Sequence, residues 1–200
     1  MTAAYPIRTL RRYLPVKRVE RCALCSAELA HEHRHLIDVK TRQLSCACEA
    51  CALLFAHRGE SNLRSVGRQA RRLTEFVMSD AEWESLRIPI GLAFFVNNSV
   101  AGRVTALYPG PAGPTESLLG LEAWGEIAAR NAALSAMEPD VEALLVNRVG
   151  SARDHYLAPI DRCYELAGLI RMHWRGLSGG DEVWREIDGF FARLREGGSA

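Results

Sequence analysis

Two cysteine pairs constrain this chain more than any other feature. Cys22-x2-Cys25 and Cys48-x2-Cys51 are separated by 22 residues, and Cys46 lies just ahead of the second pair. The segment "RCALCSAELAHEHRHLIDVKTRQLSCACEACALLFAHR" (21–58) holds five of the six cysteines and four of the six histidines. Paired C-x2-C motifs at this separation read as a zinc site. Each C-x2-C turn lets two thiolates converge on one ion, and four thiolates supply the all-sulfur shell that Zn²⁺ accepts at about 2.3 Å. Cys22, Cys25, Cys48 and Cys51 are therefore the expected ligands. A shell closed by four protein thiolates leaves no position for a substrate, so the expected role is structural.

The intervening residues predict how the pairs meet. "HLIDV" and "QLSC" read as two short strands joined by the turn "KTR". "CEACALLFAHR" opens a helix, on which Cys48 and Cys51 share a face. A helix N-terminus also favours thiolate over thiol. Knuckle, hairpin and helix-borne second pair together predict a small four-cysteine module of the treble-clef or zinc-ribbon kind. Cys46 has several readings: a replacement for Cys48, a support for the shell, a ligand for something else, or a buried spectator thiol. His33 and His35 share a strand face and with Cys46 form an additional candidate metal site, although exposed histidines on a polar strand are commoner. His31 reads as loop. His57 falls on another face of the helix from Cys51.

Iron is the alternative metal, because an all-sulfur shell holds it as readily on geometry alone. A rubredoxin-like redox carrier would follow. The helix-borne second pair and the lack of glycines around the knuckles favour zinc.

Composition narrows the class. Hydrophobic content of 48% and charged content of 24% fit a soluble globular protein. The net charge of +1 hides a split. Residues 1–75 carry 14 Lys/Arg against 7 Asp/Glu, and residues 76–200 carry 11 against 17. The basic stretches "RTLRRYLPVKR" (8–18) and "RSVGRQARR" (64–72) raise nucleic acid as a partner, but only Tyr5 and Tyr13 supply aromatic interleaving. A solvated face, or a surface for an acidic protein, explains them as well. The longest apolar run, "IPIGLAFFV", is about half of what a membrane span needs. No signal-like apolar region opens the chain. The expected setting is the cytoplasm, where clustered cysteines bind metals more often than they form disulfides.

The rest of the chain predicts an antiparallel sheet packed with helices, and the whole an α+β fold. Ser79 and Glu82 form a capping-box pattern for a short helix. "IGLAFFVNN" and "RVTALYP" read as paired strands, as do "VEALLVNRV" and "DHYLAPI". "GPAGPT" reads as a loop, with Thr115 as N-cap of a helix through Arg130. Two amphipathic helices close the chain, the first capped by Asp161. The expected organisation is a basic arm (1–20), a zinc module (21–58), a linker and entry strand (59–75), the α+β domain (76–196) and a frayed tail (197–200).

Neither nucleotide-loop motif, G-x-G-x-x-G or G-x-x-x-x-G-K-[ST], is present. Cys163 with His155 or His173 is a conceivable nucleophile system. A lone cysteine is more often a small buried hydrophobe, and His173 lies on an apolar helical face.

"RCALC…HEHRHLIDV…LSCACEACALLF", "RIPIGLAFFV", "ALYPGPAGPTESLL", "MEPDVEALLVNR" and "APIDRCYELAGLIRMHWRGLSGG" together resemble an uncharacterised bacterial, mainly actinobacterial, family encoded beside genes for uptake nickel–iron hydrogenases. The similarity covers about residues 21–196, and Cys46 is part of the family pattern. The resemblance implies an accessory role in maturation, assembly or electron supply, with a hydrogenase subunit or maturation factor as partner, and it assigns no catalytic residue. The expected protein is a non-catalytic zinc-binding one.

Overall fold

Short strands and tight turns build the cysteine-bearing end. The computed structural model of the protein describes residues 19–55, 61–117, 124–176 and 179–197. The basic stretch at 8–18, His57, residues 118–123 of the helix expected through Arg130, and residues 198–200 lie outside them. Strand β1 (Arg34–Asp38) pairs antiparallel with β2 (Leu44–Ala47), and His35 stands opposite Cys46. Asp38 shapes the turn between them: its carboxylate accepts from the backbone N–H groups of Lys40 at 2.9 Å and Thr41 at 2.8 Å. Helix α1 (Glu49–Phe55) follows at once. Strand β3 (Leu63–Ser65), in the stretch expected as linker, pairs with the other edge of β1, so the small sheet runs β2-β1-β3.

Alternation along β1 decides what its two faces do. Leu36 packs with Cys22, Ala47, Cys51 and Ala52. Ile37, the next residue, joins the main core together with Val66.

The main sheet is antiparallel throughout. β4 (Arg71–Arg72) lies at one edge. Helix α2 (Asp80–Ser85) begins at the expected capping box: the Glu82 N–H donates to Ser79 Oγ at 3.2 Å, and the Ser79 N–H donates to Glu82 Oε2 at 2.7 Å. β5 (Leu92–Asn98), β6 (Arg103–Gly110) and β7 (Gly113–Glu116) form a meander. After α3 (Trp124–Arg130) come β8 (Glu142–Asn147) and β9 (Asp154–Pro159). The strand order is β4-β9-β8-β5-β6-β7. Helices α4 (Ile160–His173) and α5 (Gly180–Gly197) close the chain.

The uninterrupted apolar run of β5 follows from burial on both faces. Leu92, Phe94 and Val96 meet Cys163, Leu166 and Ile170 of α4 and Phe190 and Phe191 of α5. Ala93 and Phe95 meet Ile127 of α3, Leu86 and Met137 on the opposite face. The α+β expectation with an antiparallel sheet holds, and helices cover both sides. Among the described residues no helix is long and apolar enough to cross a membrane.

Two local expectations are corrected. Thr115 does not cap a helix: it pairs with Tyr108 across the β6–β7 hairpin. Pro111 sits at the first corner of the two-residue turn, where its fixed φ suits it, and Gly113 leaves the turn at a φ of 109° that side-chain-bearing residues rarely adopt. Chain reversal therefore wins over helix initiation at that point, and among the described residues the next helix is Trp124–Arg130. Asp161 does not cap α4 either. β9 runs straight into the helix, which leaves Pro159 in the cap position and Asp161 in the first turn.

Candidate metal centre

The first cysteine pair sits on a knuckle that the backbone closes by itself. The Cys22 N–H donates to the Ala27 carbonyl and the Ser26 N–H to the Cys22 carbonyl, each at 2.8 Å. Ser26 completes the reversal with a φ of 62°. An Arg21–Glu28 ion pair at 2.9 Å spans its base. The Ala23 N–H donates to the Cys46 carbonyl at 2.9 Å, so the knuckle is fastened to β2. The second pair lies at the start of α1, where the Cys51 N–H points at Cys48 Sγ at 3.5 Å.

The fold brings the two pairs together. The sulfurs of Cys22, Cys25, Cys48 and Cys51 all lie within 4.8 Å of one another. Cys25 Sγ and Cys48 Sγ, which come from opposite pairs, are 3.7 Å apart. A tetrahedron with metal–sulfur arms of about 2.3 Å has edges of about 3.8 Å, so this separation suits two ligands of one ion. All four cysteines are free thiols. Cys22 and Cys51 are buried, Cys48 is partly buried and Cys25 faces solvent. The arrangement is compatible with binding a metal ion.

The electrostatics of the four differ. Burial opposes ionisation of Cys22, but backbone N–H groups of Cys48, Cys25 and Leu24 aimed at its sulfur outweigh it and bring the thiol down to about 6. Cys51 is pushed up to about 12 by burial and by the sulfurs of Cys25, Cys48 and Cys22. The Ala27 N–H works to lower Cys25, yet contact with the Cys22 sulfur, helped by Cys48, leaves it raised. Four thiolates held this close repel one another, and a divalent cation at their centre removes the conflict.

Cys46 belongs to a different group. One ring nitrogen each of His33 and His35 and the sulfur of Cys46 lie within 4.8 Å of one another. Burial raises the Cys46 thiol, with smaller contributions from Glu20 and Cys22. The structure therefore separates the seven candidates into a set of four and a set of three. Spacing alone did not point to Asp161, whose Oδ2 lies 2.8 Å from His35 Nδ1 across 126 positions of sequence.

The nucleophile system around Cys163 is not assembled. Cys163 is completely buried and its thiol is pushed far up by that burial and by Asp161. It packs with α4 and α5 in the main core. His155 packs instead with Phe76, ring to ring at 4.5 Å. His173 is paired with Glu182 at 2.8 Å at the end of α4, partly exposed and not in the core.

The fold and the site define an α+β protein with a tetracysteine cluster at its N-terminal end. Residues 21–198 match the family described as a family of unknown function, DUF5947, and the chain belongs to that family. No curated protein and no solved structure matches it.

Proposed function

We propose that Cys22, Cys25, Cys48 and Cys51 hold one zinc ion in a closed, structural shell of the treble-clef kind, and that the protein is a non-catalytic accessory factor acting through protein contacts in the cytoplasm. The observation that carries the metal assignment is the convergence of four free thiols on one point, with the cross-pair spacing of 3.7 Å. An all-sulfur tetrahedral shell suits zinc, and it leaves no open coordination position for a reaction.

The exposed apolar side chains support the contact role. Eight large hydrophobic residues are exposed among the described residues, and four of them, Val19, Leu24, Leu53 and Leu54, lie on the cysteine-bearing end. Leu53 and Leu54 are 63% and 56% exposed on the short helix that carries Cys51. Exposed apolar groups beside a rigid metal module suit a protein partner. The resemblance of the chain to proteins encoded beside uptake nickel–iron hydrogenases makes a hydrogenase subunit or maturation factor the proposed partner.

Elemental analysis of protein purified from its native host, with identification of what co-purifies, tests this reading. The expected result is colourless protein with zinc in the tetracysteine site and hydrogenase components in the eluate. A Leu53→Glu/Leu54→Glu double variant is expected to keep the metal and lose the partner. A red protein that bleaches on reduction would replace zinc with iron and the accessory role with electron transfer.

A further inference from the structure

We propose that His33, His35 and Cys46 form a second metal site, separate from the tetracysteine cluster and open to exchangeable ligands. Register places the three. His35 and Cys46 face each other across β1 and β2. His33, just before β1, turns its ring edge-on to His35 with centroids 4.9 Å apart.

Both imidazoles are held as metal ligands usually are, by the nitrogen that does not bind. His33 Nδ1 is 2.9 Å from the Ala30 carbonyl oxygen, to which it donates, and Glu20 Oε2 lies 3.6 Å from the same atom. Donation from Nδ1 leaves the lone pair on Nε2. That Nε2 is buried and has no hydrogen-bond partner, on a side chain only 8% exposed. A buried, unpartnered acceptor of this kind carries a desolvation cost that a metal bond would remove. His35 repeats the pattern with a carboxylate: its Nδ1 lies 2.8 Å from Asp161 Oδ2. A carboxylate–histidine pair fixes the tautomer and raises the basicity of the remaining nitrogen. Asp161 comes from the first turn of α4, so the main domain supplies the support and the small module supplies the ligands.

Two imidazoles and one thiolate suit a transition ion of borderline softness, zinc above all. One nitrogen of each ring and the Cys46 sulfur lie within 4.8 Å of one another, close to the separations of about 3.3–3.8 Å that a shell with arms of about 2.0–2.3 Å needs. Three protein ligands leave a fourth position for water or a small donor, the arrangement of sites that exchange ligands or react. The fourth position has somewhere to open. The three residues line a cleft of about 590 Å³ between the small sheet and α4, whose lining also includes Arg68, Arg162 and Tyr164. The first cluster has four sulfurs and is complete without this one.

Anaerobic Co²⁺ titration of the full chain tests the proposal, because cobalt bound to four thiolates and cobalt bound to one thiolate and two imidazoles differ in absorption. Wild type is expected to take up a second equivalent with a weak single-thiolate charge-transfer band. His35→Gln and Cys46→Ala are expected to abolish that phase alone. Asp161→Asn, which leaves every ligand in place, is expected to weaken it by about 10–100-fold. Uptake of a single equivalent by well-folded wild type would overturn the second site, as would a second phase that survives both ligand variants. Failure of the tetracysteine reading shows differently, as absence of the strong tetrathiolate band in the first phase.

Discussion

The cysteine-bearing end and the six-stranded sheet solve the same problem with different means. The sheet buries aromatic and branched side chains on both faces, Phe94, Tyr156, Phe190 and Phe191 on one and Phe95 on the other. At about 25 cal/mol per Å² of apolar surface removed from water, such a core holds itself. Among the described residues the buried cluster around the cysteines is Cys22, Leu36, Ala47, Cys51 and Ala52, with no buried aromatic and only one large aliphatic residue. A core that small does not offset the entropy of ordering its chain. In model zinc domains, metal binding contributes about 10–16 kcal/mol of apparent free energy to folding. The difference teaches that cysteine content here substitutes for apolar content. It also predicts that the two regions fail separately.

Metal removal is the largest way to break the comparison. Chelation, or Cys25→Ser with Cys48→Ser, is expected to expose the amides of β1 and β2 to exchange while β5 and β8 stay protected. Hydrogen exchange read by mass spectrometry checks this, and equal loss in both regions would refute separate failure. Core truncation is the reverse experiment. Phe94→Ala, at a completely buried position, is expected to cost about 3–5 kcal/mol in a urea melt of the main domain. Its bound metal per chain is expected to stay at the wild-type value.

A smaller effect comes from acid. His155 is buried, and burial first, then the nearby Arg148, holds its imidazole down at about 4 against an ordinary 6.5. Asp154 pulls the other way and Arg153 adds to the lowering. The unfolded chain therefore takes up this proton below about pH 6.5 while the fold refuses it until about pH 4. Stability present above the upper value is lost as pH falls through that window, on the order of 2–3 kcal/mol. His155→Leu is expected to flatten this part of the urea midpoint against pH curve. An unchanged slope would remove His155 from the account.

What was legible in the sequence follows the range of the interactions. The C-x2-C pairs, the Ser79–Glu82 box and the apolar strands are local patterns, and each predicted its element. The β6–β7 hairpin was misread because Thr115 carries a good cap signal, and only pairing with Tyr108 shows that the chain has already turned back. The Asp161–His35 contact has no local signature, since it joins the first turn of α4 to β1 across 126 positions of sequence. Periodicity puts His173 on an apolar helical face but says nothing about where the helix ends. As the last residue of α4 it lies partly exposed beside Glu182. Asp161 was visible as an acidic residue at a helix start, but its use could be seen only with the fold in hand.

The central claim is that two cysteine pairs from separate segments clasp one ion. Metal K-edge X-ray absorption on the His35→Gln variant tests it most directly, because that substitution leaves the tetracysteine cluster as the site to be seen. The account predicts a single shell of four sulfur atoms at about 2.3 Å. A shell containing nitrogen or oxygen, or folded protein that retains no metal, would contradict it.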